Sequence, residues 1–110
     1  MSIDCIDIIG GGAWGTALAQ AMSKAGHQTV LWAKEPEVAD AINFQHENPI
    51  FLKGVPLNPA IRATTILAEA GEVDAVFMVV PAQYLRSVAT LLAPVIANEI
   101  TVAVCAKGIE

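Results

Sequence analysis

The residues best suited to chemistry are Gly10-Gly11-Gly12-Ala13-Trp14-Gly15, which fit the spacing G-x-G-x-x-G in one frame, at Gly10, Gly12 and Gly15. They follow an apolar run and open an amphipathic helical pattern. In that context the first glycine permits a tight turn, the second lets the main chain approach a pyrophosphate, and the third lets the helix pack closely on a sheet. Unpaired N–H groups at the helix start, with the positive end of its dipole, then hold the anion. The structural alternative is a turn that merely saves space between strand and helix. Trp14 has two readings, a packing residue of the first helical turn or part of the lip around the phosphates.

A dinucleotide site usually has an acid at the tip of the second strand, about 20 residues on, to accept the ribose hydroxyls. Here the tip reads Leu31-Trp32-Ala33-Lys34-Glu35. Lys34 suits a 2′-phosphate, so NADPH is admitted alongside NADH, although Glu35 dilutes the positive field. A solvated helix entrance explains the pair equally well. Ligands of open α/β sheets lie outside the carboxyl ends of the strands, which adds Tyr84 after the fourth apolar run and Lys107 after the fifth. Tyr84 reads as a cofactor contact or as ordinary helix packing. Lys107 reads as a cation for a phosphate or a substrate oxygen, or as a surface lysine.

The elements that must position these residues alternate. Near-continuous apolar runs of strand length occupy 5–9, 29–32, 61–64, 75–80 and 101–106, as expected of strands covered on both faces. Between them Leu18, Ala21, Met22 and Ala25 predict one helical face, stopped by Gly26. Leu85, Val88, Ala89 and Leu92 predict another, ended by Pro94. A weaker helix is expected over 36–44 from Pro36, and a short one over 65–70 closed by Gly71. This rhythm predicts an α/β fold: a Rossmann-type, doubly wound, mainly parallel sheet of five strands in the order 3-2-1-4-5. The segment 45–60, with Pro49, Gly54, Pro56 and Pro59, is the one long irregular connection, and such loops are usually functional or flexible.

Composition narrows the class. The 110 residues carry 11 acids against 6 Lys and Arg, a formal net charge of −5, with 55% hydrophobic and 15% charged residues. That suits one globular domain over 1–110 and excludes disorder driven by charge. Mean hydropathy is +0.54, yet the longest uncharged apolar run, 75–82, is far short of the roughly 20 residues that span lipid. Without a basic n-region the N-terminus does not read as a secretory signal, so a cytoplasmic location is expected. Without a basic stripe nucleic acid is not the expected partner. Cys5 and Cys105 read as buried free thiols: in the expected strand order they stand roughly 9–10 Å apart, beyond disulfide reach. His27 and His46 are isolated, so no metal site is expected.

Four segments together resemble one family across essentially the whole chain: NAD(P)-dependent glycerol-3-phosphate dehydrogenase of the bacterial type. They are Gly10-Gly11-Gly12-Ala13-Trp14-Gly15-Thr16-Ala17-Leu18-Ala19, then Leu31-Trp32-Ala33-Lys34. The third is Asn43-Phe44-Gln45-His46-Glu47-Asn48 running into Phe51-Leu52-Lys53-Gly54. The last pairs Val79-Val80-Pro81-Ala82-Gln83-Tyr84 with Cys105-Ala106-Lys107-Gly108-Ile109-Glu110. The resemblance implies hydride transfer between NAD(P)H and dihydroxyacetone phosphate, giving sn-glycerol 3-phosphate, a precursor of phospholipids. It places Ala13 and Trp14 at the diphosphate, Lys34 at the adenosine ribose, Tyr84 against the cofactor, and Lys107 at both the nicotinamide end and the substrate. Lys53 departs from the family's usual proline. The family's helical second domain, which holds its general acid/base lysine and most of the phosphate pocket, lies beyond residue 110. The expected reading is therefore the dinucleotide-binding part of a two-domain enzyme, inactive by itself, with room for a homodimer of the intact enzyme. Two alternatives are a stand-alone regulatory dinucleotide-binding module and another two-domain dehydrogenase with a similar first half.

Overall fold

Apolar residues on both faces of the strands commit each strand to the interior, and helices must cover both sides. The computed structural model describes residues 5–67, 73–80, 82–92 and 101–104. The elements run β1 (Cys5–Ile9), α1 (Ala13–Lys24), β2 (Gln28–Trp32), α2 (Pro36–Gln45), β3 (Arg62–Thr64), β4 (Ala75–Met78), α3 (Ala82–Leu92) and β5 (Thr101–Val104). The strands form a single sheet in the order β3-β2-β1-β4-β5, parallel at every junction. The Rossmann-type order expected from the alternation is the one observed.

Two clusters of buried side chains divide the core between the sheet's faces. Ile6, Ile8, Leu31 and Ala63 join Ala19 of α1 and Val38 and Ile42 of α2 on one face. Ile9, Val76 and Met78 pack with Val88 of α3 on the other. The period-2 alternation of β1 sends Ile6 and Ile8 one way and Ile9 the other. Asp7 interrupts the apolar run: it is 1% exposed, opposite Val30 of β2 and Val76 of β4.

Element ends differ from the sequence reading in instructive ways. β4 ends at Met78, although Val79 and Val80 continue its alternation, one into each core cluster. β2 starts one residue earlier than expected, at Gln28, and β3 is shorter at 62–64, with buried Ile61 preceding it. Helix α1 does not bury the face Leu18, Ala21, Met22 and Ala25. Its buried residues are Gly15, Thr16, Ala19 and Ser23, while Leu18 and Met22 are only partly covered and Ala21 and Ala25 are exposed. Small residues lie inward because this helix approaches β1 closely. Ala89 of α3 is likewise exposed. Gly26 stops α1 as expected, with φ of +101° and with His27 N–H donating to the Met22 carbonyl at 3.2 Å. Thr65 and Ile66 are not helical, Leu67 is in a 3₁₀ conformation, and positions 68–70 of the short helix expected there fall outside the described residues, as do Gly71, Pro94 and positions 105–106 of the fifth apolar run.

The outer edge of the sheet is closed by a side chain. Asn43 of α2 donates from Nδ2 to the Ala63 carbonyl at 2.9 Å and accepts the Ala63 N–H at its Oδ1 at 2.8 Å. Its amide satisfies the main-chain pair that β3 turns away from β2. Removing it should cost about 2 kcal/mol, at roughly 1 kcal/mol per hydrogen bond, so Asn43→Ala should lower the urea midpoint without changing the slope of the transition.

Cys5, at the start of β1, is a free thiol but only half-buried, not buried as expected; Cys105 lies outside the described residues. Partial burial raises its pKa above the ordinary thiol value, and the nearby carboxylates of Asp74 and Asp7 push the same way against a weaker pull from Arg62. The folded chain therefore holds the thiol proton more tightly than the unfolded chain does. Alkylation of Cys5 by iodoacetamide, followed by mass spectrometry of its peptide, should be slower at pH 8.5 in the folded protein than in urea. Asp74→Asn should speed it.

Candidate functional site

The turn after β1 is shaped by what surrounds it. Gly10 adopts φ of +134°, which L side chains rarely tolerate, and a methyl there would run into the Val79 carbonyl. Its N–H donates to the Trp32 carbonyl at 2.9 Å, and Val79 N–H donates to the Ile9 carbonyl at 2.8 Å. The turn is thus drawn between β2 and β4 at the place where the strand order reverses. Gly11 rests on the tip of β2: a Cβ on it would stand 2.7 Å from the Ala33 Cβ. Gly15 is confined by the turn itself, since a methyl would strike the Gly10 carbonyl, with the Ile8 side chain 3.7 Å away.

Gly12 is different. Its φ of −76° suits any residue, and a Cβ there would meet none of the described residues within 4 Å. No packing contact of the described chain requires a glycine at this position, and the space beside it is open. Gly12 is also the N-cap of α1, which carries no side-chain cap and no acid in its first turn. The first intrahelical bond runs from Thr16 N–H to the Gly12 carbonyl at 3.0 Å. The N–H groups of Ala13, Trp14 and Gly15 precede it and have no partner inside the helix. Open space, free N–H groups and the helix dipole coincide there, as an anion site requires.

The other expected residues are distributed around this turn. Lys34 is exposed and directly follows Ala33, the residue that touches Gly11. Tyr84 stands in the first turn of α3, beyond β4, and is 52% exposed. Trp14 is 60% exposed, so it is not a core residue. It lines a shallow apolar depression of about 220 Å³ with Ala17, Leu18 and Ala21, running along the outer face of α1 and not over the glycine turn. Lys107 and Pro81 lie outside the described residues. Cys5 and its perturbed thiol are at the opposite, amino-terminal ends of the strands and take no part here.

The long connection 45–60 is held, not loose. Asn58 N–H donates to Gln20 Oε1 of α1 at 2.7 Å, Leu57 N–H to the His46 carbonyl at 2.8 Å, and Gly54 N–H to Glu47 Oε2 at 3.0 Å. His46 ends α2 in the left-handed region at φ of 56°. Lys53, the departure from the family's proline, is exposed in the turn that follows an isolated bridge between Asn48 and Leu52. Asn48 itself is fully buried and bonds to the glycine turn. The sequence reading assigned Asn48 no separate role, and its isolated Asn offers no spacing that would have revealed one.

Comparison with known proteins agrees with this geometry. The model of the family "NAD-dependent glycerol-3-phosphate dehydrogenase N-terminus" matches residues 5–110. Glycerol-3-phosphate dehydrogenase [NAD(P)+] of Rhodospirillum rubrum is 55% identical over 109 residues, which cover 98% of this chain and 31% of that protein. The enzyme of the same name from Paramagnetospirillum magneticum is 52% identical over 105 residues, covering 96% of this chain and 38% of that one. The crystal structure of glycerol-3-phosphate dehydrogenase from Coxiella burnetii superposes with a TM-score of 0.85 at 29% identity, over 93% of this chain and 32% of its own. The chain thus spans about a third of the length of the relatives it matches. Fold, glycine turn and sequence likeness converge on one conclusion: the chain belongs to the NAD-dependent glycerol-3-phosphate dehydrogenase family and corresponds to its N-terminal part.

Proposed function

We propose that this chain forms a single dinucleotide-binding domain over 1–110, and that in the intact enzyme it serves reversible hydride transfer between NAD(P)H and dihydroxyacetone phosphate, giving sn-glycerol 3-phosphate. The observation that carries the reading is Gly12: among the described residues no packing contact calls for a glycine where open space meets the uncapped start of α1. A diphosphate lying against that main chain accounts for it.

In this reading the N–H groups from Gly12 to Gly15 hold the two phosphates, and Gly10 and Gly11 fix the turn that presents them. Lys34 stands at the adenosine ribose, where its charge favours a 2′-phosphate. Trp14 and Tyr84 flank the cofactor from the two helices beside the turn, and Lys107 reaches the nicotinamide end and the substrate. When bound, the nicotinamide ring supplies the hydride that reduces the ketone carbon. The proton for the ketone oxygen comes from outside 1–110, where the family resemblance places the general acid/base lysine. Binding and orientation are this chain's share of the work, and oriented binding can supply several kcal/mol of a barrier. A soluble cytoplasmic setting and a homodimer of the intact enzyme go with the same reading; among the described residues no helix is long and apolar enough to cross a membrane.

Two glycines separate structure from ligand. Gly10→Ala should cost at least about 2 kcal/mol of stability, from the strained φ and the collision with the Val79 carbonyl. Gly12→Ala should cost only about 1 kcal/mol, the usual preference of glycine over alanine at an N-cap. Yet Gly12→Ala should weaken NADPH binding about tenfold or more in calorimetric titration, as expected when the added methyl group holds the diphosphate out of reach of one main-chain donor. Unchanged NADPH affinity in a folded Gly12→Ala protein contradicts the site. Lys34→Glu should weaken NADPH more than NADH. Oxidation of NADPH on addition of dihydroxyacetone phosphate, read at 340 nm with the intact enzyme, tests the reaction.

A further inference from the structure

Asn48 is a polar side chain with no exposed surface, lying in the irregular connection between α2 and β3. Its Nδ2 donates to the Gly11 carbonyl and to Thr16 Oγ1, both at 2.8 Å, and its Oδ1 accepts the Phe51 N–H at 3.2 Å. Its own carbonyl accepts the Leu52 N–H at 2.8 Å. Thr16, also fully buried, is in the first turn of α1, its hydroxyl 3.4 Å from the same Gly11 carbonyl. One side chain therefore joins a remote loop, the glycine turn and the start of the helix.

The peptide that Asn48 grips is the one least able to hold itself. It lies between Gly11 and Gly12, and glycine on both sides leaves a peptide plane nearly free to rotate. The plane is rigid and trans, so the carbonyl of Gly11 and the N–H of Gly12 point in opposite directions. Drawing the carbonyl inward turns the N–H outward, into the open space beside Gly12. Rotation of this plane would instead offer a carbonyl oxygen to an incoming anion.

We infer that Asn48 is a positioning residue for the diphosphate site: by holding the Gly11 carbonyl it fixes the Gly12 N–H in the orientation that receives a phosphate oxygen. The inference rests on the reading that this turn binds NAD(P)H and adds how the turn is prepared for it. Asn48 does not touch the ligand. It acts through the Gly11–Gly12 peptide, and the loop 45–60 thereby influences cofactor affinity from outside the site.

Asn48→Asp keeps the shape of the side chain while removing both donors. In the folded variant, verified by circular dichroism, NADPH affinity should fall about tenfold or more, the effect of losing one correctly aimed donor to a charged group. The shift of the Gly12 amide signal on NADPH addition, seen by ¹⁵N NMR, should shrink with it. A folded Asn48→Asp protein that binds NADPH within about twofold of the wild type overturns the inference. Wild-type protein gives a second measurement if the variant does not fold. Binding and clamping are reciprocal, so saturating NADPH should slow hydrogen exchange of the Asn48 side-chain amide several-fold. Unchanged exchange under saturation overturns the inference as well. A wild type that fails to bind NADPH removes the functional reading and this inference together, whereas normal binding that ignores Asn48 removes the inference alone.

Discussion

The chain can turn from β1 into α1 only by passing between two walls. On one side stands the carbonyl of Val79, just beyond β4; on the other, the methyl group of Ala33, just beyond β2. Gly10 and Gly11 carry no Cβ, and each would collide with one of those walls if it did. This clearance sets the rest. It lets β1 pair with both neighbours to its last residue, brings the start of α1 onto the sheet's carboxyl edge, and leaves Gly12 facing outward. The apolar run of β4 continues past Met78 for the same purpose: Val79 bonds to Ile9 of β1 through its N–H and walls the turn with its carbonyl, while Val79 and Val80 fill the two core faces.

Much of this was legible in the residues. A glycine pattern placed between an apolar run and a helical one carries its own mechanism, and strands separated by helices predict a parallel, doubly wound sheet with the observed order. What was less legible has a common physical cause. Hydrophobic periodicity treats size as a proxy for burial, and in α1 that proxy fails, because a helix lying close to a strand must turn Gly15, Thr16, Ala19 and Ser23 inward and leave larger residues outside. The ends of β4 and β3 are less legible for a related reason: burial alone does not make Val79 or Ile61 a strand residue.

Polar residues that hold the architecture left no trace in local pattern. Asn43 falls in the expected helix 36–44 and Asn48 in the irregular connection after it, yet each bonds to main chain brought near only by the fold, Asn43 across 20 residues and Asn48 across 37. A side-chain amide can offer donor and acceptor together, so it substitutes for a strand at Ala63 and for a clamp at Gly11. The connection between α2 and β3 contributes to the glycine turn through the second of these, which gives its length a purpose beyond linking two elements.

The amide of Asn43 has a consequence for how copies of the protein meet. Bare strand margins invite lateral growth, one molecule's sheet extending into the next. At this flank the central residue of β3 is already saturated by its own helix, so a newcomer finds no main-chain partner at Ala63. Self-assembly that leaves this flank intact must therefore proceed through side-chain surfaces or through some other border of the molecule.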